Sequence, residues 1–218
     1  MERWGQAGSR LTSVSGGAVT GNIGQVKDSL ADQRSGKLVF LSHCILNQNA
    51  CVRGLASQPA VIREVVDAAL DHEVAMYQMP CPENTYVGSM RWGMVKKMYG
   101  TPMFRRHCRQ IAEQVCDQIQ TYRDNDHRVL GVVFRDGSPT CGLRTAAVEA
   151  DEDQQWGGMV WHACPLQRFA ATEGVYVEEF KAGLHARGLD DVPLLTMPEV
   201  PEAGSLTDAI EEIRLAFK

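Results

Sequence analysis

Apolar positions along the chain alternate between short continuous runs and longer stretches of helical period. Leu38-Val-Phe-Leu41 is an unbroken apolar run between a Gly-rich leader and Ser42-His43-Cys44, the pattern of a buried strand. Pro59 to Asp71 then places Val61, Ile62, Val65, Val66, Ala69 and Leu70 on one helical face. Glu73 to Met79 reads as a second strand, and Pro102 to Asp124 as a helix with Phe104, Cys108, Ile111, Val115 and Ile119 inward. A third strand covers Arg128 to Phe134, and Thr172 to Gly188 is a helix with Val175, Phe180 and Leu184 inward. Val192 to Met197 is short and carries Pro193, so it is placed at a sheet edge. Ser205 caps a last helix, Leu206 to Phe217.

This alternation predicts an α/β fold. Its expected form is a three-layer open parallel sheet of about four strands with flanking helices and right-handed crossovers, resembling half of a Rossmann-like or flavodoxin-like fold. Residues 1–36, rich in Gly and Ser without a sustained period, are expected to form a flexible or peripheral extension, and 37–218 a single α/β domain. Two stretches resist the pattern. Asn84 to Thr101 is irregular and sits where a substrate lid would be useful, and Arg144 to Gln155 is polar and acidic and is expected to cross the surface. Val160 to Cys164 reads equally as a short strand or an extended loop.

Composition narrows the class. Lys+Arg 22 against Asp+Glu 27 gives a net charge of -5, ordinary for a soluble enzyme and wrong for a surface that grips duplex nucleic acid. No apolar run approaches the roughly 20 residues of a membrane helix, and the start of the chain lacks the apolar core of a signal peptide. The expectation is a cytoplasmic protein without membrane or stable nucleic-acid partners, its oligomeric state unspecified. Seven cysteines, an odd number, suit metal or catalytic chemistry in a reducing compartment better than a disulfide framework. The absence of a Cys-x-x-Cys pair argues against a zinc ribbon.

Three of these cysteines follow three strands. Cys44 comes after Leu41, Cys81 after Met79 and Cys141 after the Arg135-Asp-Gly-Ser-Pro-Thr loop, which gathers their thiols at the carboxyl edge where open parallel sheets bind ligands. Three thiolates around one point repel, and a cation or an iron-sulfur cluster is the simplest group to hold them together. A cluster with three protein ligands also keeps one iron open for chemistry. The bland alternative is three buried apolar thiols.

Ser42-His-Cys44-Ile-Leu-Asn, Cys81-Pro-Glu83 and Ser138-Pro-Thr-Cys141-Gly142, in this order, resemble the motifs of the TudS family of thiouracil desulfurases, in particular a divergent TudS-related desulfidase branch. The likeness runs in diluted form from Lys37 to Glu199. It implies that Cys44, Cys81 and Cys141 ligate a [4Fe-4S] cluster with one open iron. The implied enzyme replaces C=S by C=O in a small thiolated substrate such as thiouracil or a thionucleoside, using water and leaving sulfide. Glu83 would then move protons, and Ser138 would hydrogen-bond the substrate or relay a proton. The chain departs from the family's pattern at Cys51-Val-Arg53-Gly54 and Asn84-Thr-Tyr-Val-Gly88, the loops that would shape the substrate pocket.

Each residue has a plainer role available. Glu83 could cap a helix N-terminus, and Ser138 could be ordinary turn chemistry. Cys108 and Cys116 lie inside a helical pattern and read as core residues. Cys51 reads as a surface thiol rather than an alternative ligand, His43 as packed or hydrogen-bonded, and His162 with Cys164 as packing rather than a second metal pair. Two rival functions stay open: a metal-free enzyme with Cys141 as nucleophile and His162 or His43 as base, and a non-enzymatic iron-sulfur redox or small-molecule sensor.

Overall fold

Strand β1 is Lys37–Leu41, and its four fully buried residues alternate between two cores. Leu38 and Phe40 face one helical layer; Val39 and Leu41 face the other. This double burial is why the run is continuous rather than alternating. The computed structural model describes residues 32–149 and 167–218. His162 and Cys164, and nearly all of the Gly- and Ser-rich extension, lie outside them.

After β1 come a one-turn helix α1, His43–Leu46, a 3-10 turn at Gln48–Ala50, and helix α2, Arg63–Asp71. Strand β2 is Ala75–Gln78, followed by the short helices α3, Pro82–Tyr86, and α4, Lys96–Tyr99, and by the long α5, Pro102–Asp124. Strand β3 spans Arg128–Asp136. A two-stranded antiparallel ribbon, β4 (Ala146–Glu149) with β5 (Gln167–Ala170), precedes α6, Val175–His185, β6, Leu194–Pro198, and α7, Leu206–Phe217. Ser205 caps α7 by accepting from the Asp208 N–H at 3.3 Å.

The main sheet has the order β2-β1-β3-β6, all parallel. Helices α5 and α6 cover one face through Phe104, Cys108, Val115 and Phe180, and α2 and α7 cover the other through Val65, Ala69, Ile213 and Phe217. The fold is therefore the expected three-layer open parallel sheet, with β6 at an edge, and Ser35–Lys218 forms one compact unit. Cys108 and Cys116 are fully buried in the α5 core. The chain first crosses from β1 to β2, then returns to β3 on the other side of β1, so direction reverses between β1 and β3. A bulge aligns them: the register shifts at Leu38/Val39 opposite Gly131. Gly131 has φ +151°, and a Cβ there would stand 2.8 Å from the Pro193 carbonyl oxygen, so no side chain fits.

Four expectations are corrected. Helix α2 starts at Arg63 rather than Pro59, and Leu70 is 62% exposed instead of inward, because the buried stripe runs through Ile62, Val65, Ala68 and Ala69. Cys44 sits in a helical turn rather than a loop. Strand β3 continues two residues past Phe134, carrying Arg135 and Asp136 into the interior. The stretch after Arg144 does not simply cross the surface: Ala146 and Ala147 are buried in the ribbon.

Candidate functional site

At the switch point, β1 ends with the Ser42 N–H donating to the Val133 carbonyl at 2.9 Å, and the chain turns directly into α1. That turn sets Cys44 one helical step past the strand. His43 Nδ1 lies 3.2 Å from the Met79 carbonyl oxygen, so the imidazole is hydrogen-bonded to the backbone, although the chain is helical rather than extended at this point. Gln48, 1% exposed, fixes the following loop: its Nε2 donates to the Cys44 carbonyl at 2.6 Å, and its Oε1 accepts from the Ser57 N–H at 3.0 Å. The loop folds Cys51 back to the site. Cys51 is buried rather than a surface thiol, and its thiol interacts with that of Cys44.

Cys81 is the N-cap of α3, its Sγ accepting from the Asn84 N–H at 3.3 Å, with Pro82 as the first helical residue. One turn in, Glu83 is 6% exposed. Its carboxylate does not cap the helix. Oε2 accepts from Arg91 Nε at 2.8 Å, and Oε1 accepts from the Thr140 hydroxyl at 2.7 Å. Arg91, buried in the segment expected to form a lid, also donates from Nη2 to the Ala50 carbonyl at 2.8 Å. The irregular segment is thereby pinned to both the Cys51 loop and the Cys81 helix, and its Gly93 and Met94 line the cleft.

The Cys141 loop is built around two acceptors. Asp136 Oδ1 accepts from the Leu143, Arg144 and Thr145 N–H groups at 2.8, 2.8 and 3.2 Å, and Ser138 Oγ accepts from the Thr140 and Cys141 N–H groups at 3.3 and 3.1 Å. The first turn of α6 then donates into the loop: Val175 N–H to the Pro139 carbonyl at 3.1 Å and Tyr176 N–H to that of Thr140 at 3.0 Å. Ser138 thus does the turn chemistry its setting suggested. It also stands 3.3 Å from the Thr140 hydroxyl, so Ser138, Thr140, Glu83 and Arg91 form one buried chain of polar contacts.

All these loops open on one cleft, which encloses about 700 Å³ of empty space, part of it open to solvent. Cys44, Cys81 and Cys141 all line it, with Cys51, Glu83 and Ser138. Burial pushes the Cys81 thiol up to about 11, with the Glu83 charge adding to it, and raises Cys141, to which the nearby Cys81 contributes. The Cys51 contact and burial raise Cys44, and the same contact lowers Cys51. The three thiols therefore hold their protons in the metal-free fold, and any metal must displace them. Among the described residues no group of three or more His, Cys, Asp or Glu side chains could hold a metal ion.

Thr140 and Glu199, which the motifs contain without giving them a role, and Arg91 and Arg135 complete the wall of the cleft. Arg135 is 1% exposed at the end of β3, and Glu199 follows β6; both line the cleft. Burial lifts the Glu199 carboxyl to about 6 against the opposing pull of Arg135. The available signal was positional: a charge that terminates an apolar parallel strand stands at the ligand-binding edge.

Fold and site together define an α/β domain with a cysteine-lined cleft at the switch point of an open parallel sheet. No family model matches the chain, and no solved structure does. The chain is 32% identical over 107 residues to "Uncharacterized protein MJ0003" of Methanocaldococcus jannaschii, a match that covers 49% of this chain and 68% of that protein. The chain belongs to the family of that archaeal protein.

Proposed function

We propose that this protein is an iron-sulfur-dependent desulfidase that exchanges the sulfur of a small thiocarbonyl compound, such as a thiolated nucleobase, for oxygen: C=S and water give C=O and hydrogen sulfide. The observation that carries the proposal is that Cys44, Cys81 and Cys141, delivered by three separate strand ends, line one cleft together with Glu83 and Ser138. The donor set fits a [4Fe-4S] cluster. It consists of three soft thiols that line one cleft, the donor type that iron-sulfur clusters take. Bound to these cysteines, such a cluster supplies an open iron that acts as Lewis acid and sulfur acceptor.

The chain's own residues supply the proton path and the exclusion of water. The Thr140 hydroxyl donates to Glu83 Oε1, so as the attacking water gives a proton to Ser138 Oγ, the Ser138 proton passes to Thr140 Oγ1 and the Thr140 proton to Glu83. Arg91 holds Glu83 from the other oxygen and fixes its position. Ala147 and Phe169 of the ribbon line the cleft and reduce its contact with solvent. No helix among the described residues is long and apolar enough to cross a membrane.

The rival in which Cys141 is a metal-free nucleophile draws less support from the described residues. A nucleophilic cysteine needs a depressed pKa, whereas burial raises Cys141, and of its two candidate bases His43 is engaged by the Met79 carbonyl while His162 lies outside the described residues. Anaerobically reconstituted protein incubated with 2-thiouracil or 4-thiouridine is expected to release sulfide and form the corresponding carbonyl compound. Iron-loaded protein that turns over neither substrate, nor other thiocarbonyl compounds of similar size, would favour the sensor instead.

A further inference from the structure

Two arginines that line the cleft carry buried donors with no hydrogen-bond partner among the described residues. Arg135 uses Nη1 on the Pro198 carbonyl at 2.9 Å. Its Nε and Nη2, which together form one edge of the guanidinium plane, are buried without a hydrogen-bond partner. Arg91 has committed Nε to Glu83 and Nη2 to Ala50, and its Nη1 is likewise buried and unpartnered. Burying a charged donor costs its full hydration unless an acceptor replaces the water. Here three such nitrogens lie on two side chains that are 1% and 8% exposed and that line the same cleft. Glu199, the carboxylate that lines the cleft with them, accepts from neither fork.

We infer that the cleft contains a subsite for a planar carboxylate on the ligand, held side-on by the Nε/Nη2 edge of Arg135, with Arg91 Nη1 as a further donor. The parallel N–H pair of a guanidinium edge matches the two oxygens of a carboxylate, which a lysine ammonium cannot imitate. Both arginines are held before any ligand arrives, Arg135 by β3 and Pro198, Arg91 by Glu83 and Ala50, so binding loses little side-chain freedom. In naming a thiolated ring as the bearer of that carboxylate, the inference rests on the desulfidase reading; the subsite itself rests on the arginines alone.

Calorimetric titration of the full chain, purified anaerobically, tests the subsite with two matched pairs: benzoate against benzamide, and 2-thiouracil-6-carboxylate against 2-thiouracil. Each carboxylate is expected to bind at least roughly tenfold more tightly than its neutral partner. Arg135→Lys, which keeps the charge and loses the fork, and Arg135→Gln should each reduce that preference below about threefold without changing iron content. The subsite is overturned by equal binding within both pairs to the parent protein, or by a full preference kept in both variants. It is also overturned by loss of iron in the variants, which would make the metal group the acceptor the arginines serve. Sulfide release is read separately. Carboxylate preference without sulfide from either thiouracil leaves the subsite standing and removes the desulfidase reading, whereas sulfide release without preference removes the subsite alone.

Discussion

Removing Arg91 should be among the most damaging single changes to this fold. The buried side chain ties its own segment to two others, Nε to Glu83 Oε2 at 2.8 Å and Nη2 to the Ala50 carbonyl at 2.8 Å. Arg91→Ala leaves the Glu83 carboxylate, 6% exposed, with the Thr140 hydroxyl as its remaining partner. Stripping one member from a buried ion pair costs about 3–5 kcal/mol, most of it the uncompensated charge left behind. Glu83→Gln costs less, about 1–3 kcal/mol, because the Arg91 charge it leaves behind keeps the amide oxygen and the Ala50 carbonyl as acceptors. The double variant avoids an unpaired carboxylate, so the two losses should fall short of additivity by about 1–3 kcal/mol. Urea denaturation of the four proteins, with equal m-values confirmed, measures every corner of the cycle. A cost below about 1 kcal/mol for Arg91→Ala, or strict additivity, would refute a desolvated Glu83–Arg91 pair.

Three further outcomes follow from the geometry. Thr140→Val, which keeps shape but removes the hydroxyl between Ser138 and Glu83, should lower sulfide release about 10²-fold, with Thr140→Ser restoring most of it; equal rates for the Val and Ser variants would contradict the relay. Glu199, raised from 4.5 to about 6 in the fold, contributes stability that is fully present below pH 4.5 and lost as pH rises through 6. Glu199→Gln should therefore match the parent at pH 4 and exceed it by about 1–2 kcal/mol at pH 7 in metal-free protein, and a variant less stable at pH 7 would reverse the sign. Cys108→Ser and Cys116→Ser place a hydroxyl in an apolar core and should each cost about 1–3 kcal/mol of stability while leaving iron content intact. Iron loss in either would show that a core thiol serves the metal.

The layer order was legible in the sequence because double burial writes itself as a continuous run: Leu38 to Leu41 is buried on both faces, so it could not be an amphipathic strand. The cysteine edge followed, since a parallel sheet delivers every strand-following loop to the same side. What stayed hidden depends on contacts distant in sequence. Strand β4 pairs with β5 across residues 150–166, a separation in sequence too long to read as a hairpin. Thr140 acquires its role from Glu83, 57 residues away, and Arg135 looked like the start of a loop because a charge seldom lies inside a buried strand. Cys51 was misplaced for the same reason: Gln48 folds its loop inward through bonds to Cys44 and Ser57 that no local propensity encodes.

Iron and acid-labile sulfide counts after anaerobic reconstitution, made on the parent and on Cys44→Ala, Cys81→Ala, Cys141→Ala and Cys51→Ala, test the proposed metal centre most directly. The expected result is about four irons and four sulfides per chain in the parent and in Cys51→Ala, with a large loss in each of the other three. Equal iron in the parent and the Cys44, Cys81 and Cys141 variants, or an iron-free parent that releases sulfide from 2-thiouracil, would contradict it.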